Sequence, residues 1–154
     1  MSVIITKSAK ETKKIGFAFV KKIKESKSIS TRAFVIALKG NLGSGKTTFI
    51  QGLASGLGIK EHVLSPTFLI LKQFSIPIKK STFENLYHID AYRLKNTEEI
   101  LELGFEDLVR NPRNLIVIEW ADKVKRILPR KIVKIRLENL EKNKRKIIFQ
   151  KTNV

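Results

Sequence analysis

The chain has 154 residues, 42% of them hydrophobic, which is enough for one domain with a substantial core. It contains no cysteine, so disulfides and thiolate metal sites are excluded, and no apolar run approaches the length of a membrane span. A net charge of +17, from 31 lysines and arginines against 14 acidic residues, attracts polyanions such as RNA, although a genome-wide bias toward lysine produces the same number.

The opening Met1-Ser2-Val3-Ile4-Ile5 lacks the basic-then-apolar layout of a secretory signal, so a cytoplasmic location without membrane attachment is expected. Val3 to Thr6 reads as a first strand. Ser8 followed by Glu11 is a capping-box pair, and Ile15, Ala18, Phe19 and Ile23 then form the apolar face of a helix. Ala33-Phe34-Val35-Ile36-Ala37-Leu38 is short, apolar and partly β-branched, as a strand buried on both faces should be. It runs into Gly40-Asn41-Leu42-Gly43-Ser44-Gly45-Lys46-Thr47, which fits G-x-x-x-x-G-K-[ST] at every fixed position. Phe49, Leu53 and Leu57 recur at four-residue spacing, with Ile50 and Ala54 beside them, and Gly58 falls where a helix C-cap is expected.

Strand, glycine loop and helix in that order turn the motif into a mechanism. Gly40, Gly43 and Gly45 let the backbone curl so that successive N–H groups face a phosphate, and the positive end of the following helix adds to the attraction. The expected nucleotide contacts are Asn41, Leu42, Gly43, Ser44, Gly45, Lys46, Thr47 and Thr48. Lys46 would reach the β- and γ-phosphates, and the Thr47 hydroxyl would be a Mg²⁺ ligand. The expected ligand is a nucleoside triphosphate. Adenine is favoured over guanine, because Asn143-Lys144-Arg145-Lys146 lacks the aspartate of an N-K-x-D element.

Ser65-Pro66-Thr67-Phe68 follows. It fits either ordinary turn punctuation or a switch segment whose Thr67 hydroxyl senses the γ-phosphate, and the residues alone do not separate the two. Phe68 to Phe74 and Phe83 to Asp90 read as strands joined by a turn region with Pro77 and the Lys79-Lys80 pair. A helix is expected from near Asn96 or Thr97, with Glu98 and Glu99 in its first turn and Leu101, Phe105 and Leu108 following. Leu115-Ile116-Val117-Ile118 is a buried strand. Lys131 to Leu137 alternates, with Val133, Ile135 and Leu137 on one face, and Arg145 to Lys151 reads as its hairpin partner.

Two acids close apolar strands: Asp90 after Leu86-Tyr87-His88-Ile89, and Glu119 after the run ending at Ile118. Strand C-terminal ends converge on the ligand crevice of an open parallel sheet. Either carboxylate there would hold the metal directly, hold it through water, or orient the attacking water; the alternative for either alone is a solvated strand end. By itself His88 reads as a packing residue and Trp120 as a core strand residue. The lysines are scattered and not interleaved with aromatics as on a single-strand-binding platform, so direct nucleic-acid binding is the secondary reading.

In order and spacing, the glycine loop with Thr48-Phe49, Ser65-Pro66-Thr67-Phe68, His88-Ile89-Asp90-Ala91-Tyr92-Arg93-Leu94 and Ile118-Glu119-Trp120 resemble the TsaE (YjeE) family, as does Leu103-Gly104-Phe105. The resemblance covers nearly the whole chain and fades after Pro129. It implies a small P-loop ATPase needed to make threonylcarbamoyladenosine at position 37 of tRNA, acting with a TsaD-like transferase subunit and its TsaB-like partner, with contact to tRNA indirect. By the same resemblance Lys46 and Thr47 match the phosphate and Mg²⁺ contacts, and Thr67 the switch-like threonine. Asp90 matches an acid acting on the attacking water or near the metal, and Glu119 the Mg²⁺-associated glutamate, with Trp120 its neighbour by the nucleotide. Asn41 stands where an aspartate is common in the family.

The expected fold is therefore α/β: a single P-loop NTPase domain over 1–154, with a mostly parallel central sheet flanked by helices and a basic C-terminal hairpin and tail from about 130. Two rival functions are a small-molecule P-loop kinase and a nucleotide-dependent RNA-binding switch. The kinase needs an acceptor pocket and usually an arginine-bearing lid, whereas Arg93, Arg110, Arg113, Arg126 and Arg130 are spread along a short chain.

Overall fold

The structure is a computed structural model describing residues 2–26, 30–65, 69–77 and 82–151. Seven strands form one sheet among these residues: β1 (Ser2–Thr6), β2 (Phe34–Lys39), β3 (Leu71–Ser75), β4 (Asn85–Asp90), β5 (Asn114–Glu119), β6 (Val133–Asn139) and β7 (Arg145–Lys151). Their spatial order is β1-β7-β6-β2-β5-β4-β3. The four central strands β6, β2, β5 and β4 are parallel, and the outer pairs β1–β7, β6–β7 and β3–β4 are antiparallel. The sheet is parallel only in its middle, where the expectation of a mostly parallel sheet holds, and β6 and β7 form the expected C-terminal hairpin.

Side-chain alternation explains why the sheet carries a core on each face. In β2 and β5, Ile36, Leu38, Leu115 and Val117 pack with α1 (Ala9–Ser26) and α2 (Lys46–Gly56), while Val35, Ala37, Ile116 and Ile118 join Ile100, Phe105 and Val109 on the other face. These strands are apolar at both parities because both faces are covered. That second face carries α3 (Glu98–Glu102), α4 (Phe105–Arg110) and a 3-10 segment, Ala121–Ile127, with buried Val124.

Local chemistry sets the helix ends. The Ser8 hydroxyl accepts the Glu11 N–H at 3.1 Å, while the Glu11 carboxylate returns to the Lys7 N–H. The capping box thus forms one residue wide of its usual form. Helix α1 buries Phe19, Val20 and Ile23 but leaves Ala18 exposed, so its apolar face is rotated from the one expected. Helix α2 ends in a Schellman motif: the Gly58 N–H donates to Ser55, the Ile59 N–H to Ala54, and Gly58 has φ +82°. The single helix expected after Asn96 is instead two, because Gly104 takes φ +79° between them. The strand expected from Phe68 starts at Leu71; Phe68 itself lies outside the described residues.

One edge of the sheet matters most. There β2, β4, β5 and β6 all reach their C-terminal ends, β1 ends at Thr6, and β7 begins at Arg145. The glycine loop leaves β2 at this edge.

Candidate nucleotide site

The loop is shaped by its glycines. Gly40, Gly43 and Gly45 have φ of +155°, +74° and +95°, so at the last two an L side chain would be strained. The Ser44 N–H bonds back to the Asn41 carbonyl, and α2 starts at Lys46. The Lys46 side chain is only 4% exposed; its ammonium donates to the Gly40 and Asn41 carbonyls at 2.9 and 3.0 Å and lies 4.2 Å from the Trp120 ring centroid. Burial lowers its pKa from the ordinary 10.5, while Glu119, Asp90 and Asp122 pull it back up.

A cleft of about 640 Å³ opens beside the loop. Leu42, Gly43, Gly45, Lys46, Thr47 and Thr48 form one wall, and Asp90, Glu119 and Trp120 come from the strand ends. Asn41 lines a neighbouring hollow, and the Ser44 hydroxyl is buried without a hydrogen-bond partner among the described residues. Thr67, with Pro66 and Phe68, lies outside the described residues.

The two strand-end acids differ in their partners. The Thr47 hydroxyl donates to Glu119 at 3.0 Å from Oε1 and 3.3 Å from Oε2. Glu119 is 2% exposed, and its Oε1 also receives a bond from His88 Nε2 at 2.8 Å. Asp90 instead accepts the Ser65 hydroxyl on Oδ2 at 2.5 Å and the Tyr92 N–H on Oδ1 at 2.9 Å. Asp90 thus ties the segment before Thr67 to the sheet, while Glu119 is joined to the loop helix.

The Thr47–Glu119 pair suits a small hard cation. Two oxygens 3.0 Å apart match neighbouring corners of an octahedron with bonds of about 2.1 Å, the size of a Mg²⁺ shell. Among the described residues no three acidic, histidine or cysteine side chains converge. The chain therefore offers a pair of oxygens rather than a cage, as Mg²⁺ sites completed by phosphate and water do.

Three features differ from the sequence reading. His88 is bonded to Glu119 rather than serving only to pack; the alternation Leu86, His88, Asp90 carries the signal, since it sets His88 on the strand face that ends at the acid. Trp120 lies beyond the end of β5 with φ +56°, and its ring sits 4.9 Å from Tyr92. Arg145, read only as part of a basic hairpin, lines the cleft together with Arg93. A β-carbon on Gly45 would come within 2.8 Å of the Arg145 side chain, so this arginine packs directly on the loop. Only the β6–β7 register places it there.

The family model described as "Threonylcarbamoyl adenosine biosynthesis protein TsaE" matches residues 6–147. The chain belongs to the TsaE family. A tRNA threonylcarbamoyladenosine biosynthesis protein TsaE from Rickettsia typhi is 36% identical over 147 residues, covering 95% of this chain and 92% of the relative. The protein of that name from Bacillus subtilis is 36% identical over 132 residues, covering 81% and 78%. The crystal structure of YdiB from the same species superposes with a TM-score of 0.75 at 28% identity, covering 99% of this chain and 86% of that one. The TsaE match thus spans the glycine loop, both acidic strand ends and the start of β7. No helix among the described residues is long and apolar enough to cross a membrane.

Proposed function

We propose that this TsaE-family chain is a Mg²⁺-dependent ATPase serving tRNA threonylcarbamoyladenosine formation, built on a P-loop NTPase fold. It works in the cytoplasm, docked on a TsaD-like transferase subunit and its TsaB-like partner, with tRNA held by the transferase. The observation that carries this reading is the hydrogen bond from Thr47 in the glycine loop to Glu119 at a strand end, 72 residues away in sequence.

Backbone N–H groups of the loop bind the phosphates, and Lys46 leaves the Gly40 and Asn41 carbonyls to meet the β- and γ-phosphate oxygens. Thr47 and Glu119 would hold Mg²⁺, which when bound offsets negative charge on those oxygens. Asp90, fixed by Ser65 and by the Tyr92 N–H, orients a water in line with the γ-phosphorus. The water oxygen bonds to phosphorus as the bond to the β–γ bridging oxygen breaks, ADP leaves with that electron pair, and a water proton passes to the released phosphate. The attachment of Ser65 to Asp90 supports a switch role for Thr67 two residues on. Trp120 flanks Lys46 and walls the nucleotide side of the cleft.

Phosphate release from Mg-ATP tests this. Glu119→Ala and Asp90→Ala are each expected to lower turnover by at least about 10-fold, the scale of a disturbed metal or water contact. Wild-type turnover in both variants would remove the assignment. A second reading, transfer to an organic acceptor, draws on Arg93 and Arg145 at the cleft. Labelled ATP with a panel of nucleosides and nucleoside monophosphates separates the two, since the ATPase delivers label to water alone.

A further inference from the structure

The His88 imidazole is wholly buried on β4, and of its two nitrogens only Nε2 has a partner among the described residues. A packing role does not explain that choice. Short of the strand-end acids Asp90 and Glu119, the other positions of this parity, Leu86 on β4 and Leu115 and Val117 on β5, are aliphatic, and an imidazole leaves a bare buried nitrogen that an aliphatic side chain would not. What the ring gains is one bond to a carboxylate that is itself 2% exposed. An ionised carboxylate only accepts, so the proton lies on Nε2, and the bond is a charge-assisted one.

The register explains the reach. His88 pairs with Val117 and Asp90 with Glu119 on neighbouring parallel strands, so His88 and Glu119 are diagonal neighbours on one sheet face. Glu119 is therefore gripped from two sides, by the Thr47 hydroxyl on the loop helix and by His88 within the sheet. The two grips are not equivalent. The Thr47 hydroxyl also offers lone pairs to a cation and can turn when one binds, whereas the His88 N–H has no second role at the site.

We propose that His88 is a positioning residue: it holds Glu119 Oε1 so that the carboxylate keeps facing the Thr47 hydroxyl in both the empty and the Mg-nucleotide-loaded states. This deepens the proposed function and rests on its placing of Mg²⁺ between Thr47 and Glu119. The consequence falls on the metal rather than on the nucleotide. Losing His88 weakens the Mg²⁺-dependent part of nucleotide affinity and leaves the Mg²⁺-independent part in place.

The test is a binding titration with fluorescent ADP, with Mg²⁺ varied and with EDTA. It compares wild type, Glu119→Gln, His88→Leu, His88→Gln and His88→Asn, each checked for folding by thermal melting. The Gln amide nitrogen reaches about as far as Nε2, whereas the Asn amide stops short of it. The expected result is a loss of about 10–100-fold in apparent Mg²⁺ affinity for His88→Leu, unchanged ADP binding in EDTA, and recovery in His88→Gln. If His88→Leu does not fold, His88→Asn takes its place with the same expectation. Wild-type Mg²⁺ dependence in the folded Leu or Asn variant, alongside a loss in Glu119→Gln, overturns the role of His88 alone. Equal losses in His88→Gln and His88→Leu also overturn it, because volume rather than the donor would then matter. No Mg²⁺ effect in wild type, or none lost in Glu119→Gln, overturns the metal reading and this inference with it.

Discussion

Lys46 occupies a position that costs free energy until an anion arrives. Its ammonium is almost fully buried against the Trp120 ring, with two carbonyl oxygens as hydrogen-bond partners, and burial lowers its pKa below 10.5. A triphosphate beside it favours the charged form and raises the pKa again. Between the lowered value of the free chain and the raised one of the complex, the free chain carries less of this proton, so nucleotide binding takes up protons in that window. Titration calorimetry of ATP in buffers of different ionisation enthalpy is expected to show this uptake in wild type. Below the lowered pKa both states are protonated and the uptake vanishes. Lys46→Met removes the titrating group, and uptake persisting in that variant would assign the protons to another residue. The loop residues were legible because the motif is contiguous. His88 and Arg145 were not, since their partners are set by strand register: His88 meets an acid 31 positions later, and Arg145 meets the loop through a hairpin.

Among the elements, α1 and α2 approach unusually closely, and three glycines permit it. A β-carbon on Gly16 would stand 2.2 Å from the Phe49 carbonyl oxygen, one on Gly52 2.0 Å from the Lys13 carbonyl oxygen, and one on Gly56 2.8 Å from that of Phe17. These are backbone clashes that no rotamer change relieves. For Gly52→Ala the gain in helix propensity is about 1 kcal/mol. Separating two packed helices costs about 1–3 kcal/mol, so the clash is expected to win. Thermal melting is expected to drop for Gly52→Ala, by roughly 2–4 °C for each net kcal/mol lost. An unchanged or raised midpoint would mean that the helices part freely. The helix starts and the strands were readable from caps and apolar runs. The break at Gly104 and the 3-10 segment after Trp120 were not, since both turn on residues taking positive φ, which helix periodicity does not encode.

At the scale of the whole molecule, the sheet gathers the chemistry at one edge. Four parallel strands deliver Lys39 before the loop, Asp90, Glu119 and Asn139 to the same side, and the cleft there draws its lining from as far apart in sequence as Leu42 and Arg145. The central strands were legible as apolar runs. The order β1-β7-β6-β2-β5-β4-β3 was not, because the pairing of the first strand with the last is a long-range choice with no local mark.

The central claim is best tested by phosphate release from Mg-ATP, measured for the purified chain alone and with the matching TsaD–TsaB heterodimer added. Slow hydrolysis that rises as the heterodimer is titrated in is the predicted result. A rate unchanged by the heterodimer over a wide concentration range would contradict the account.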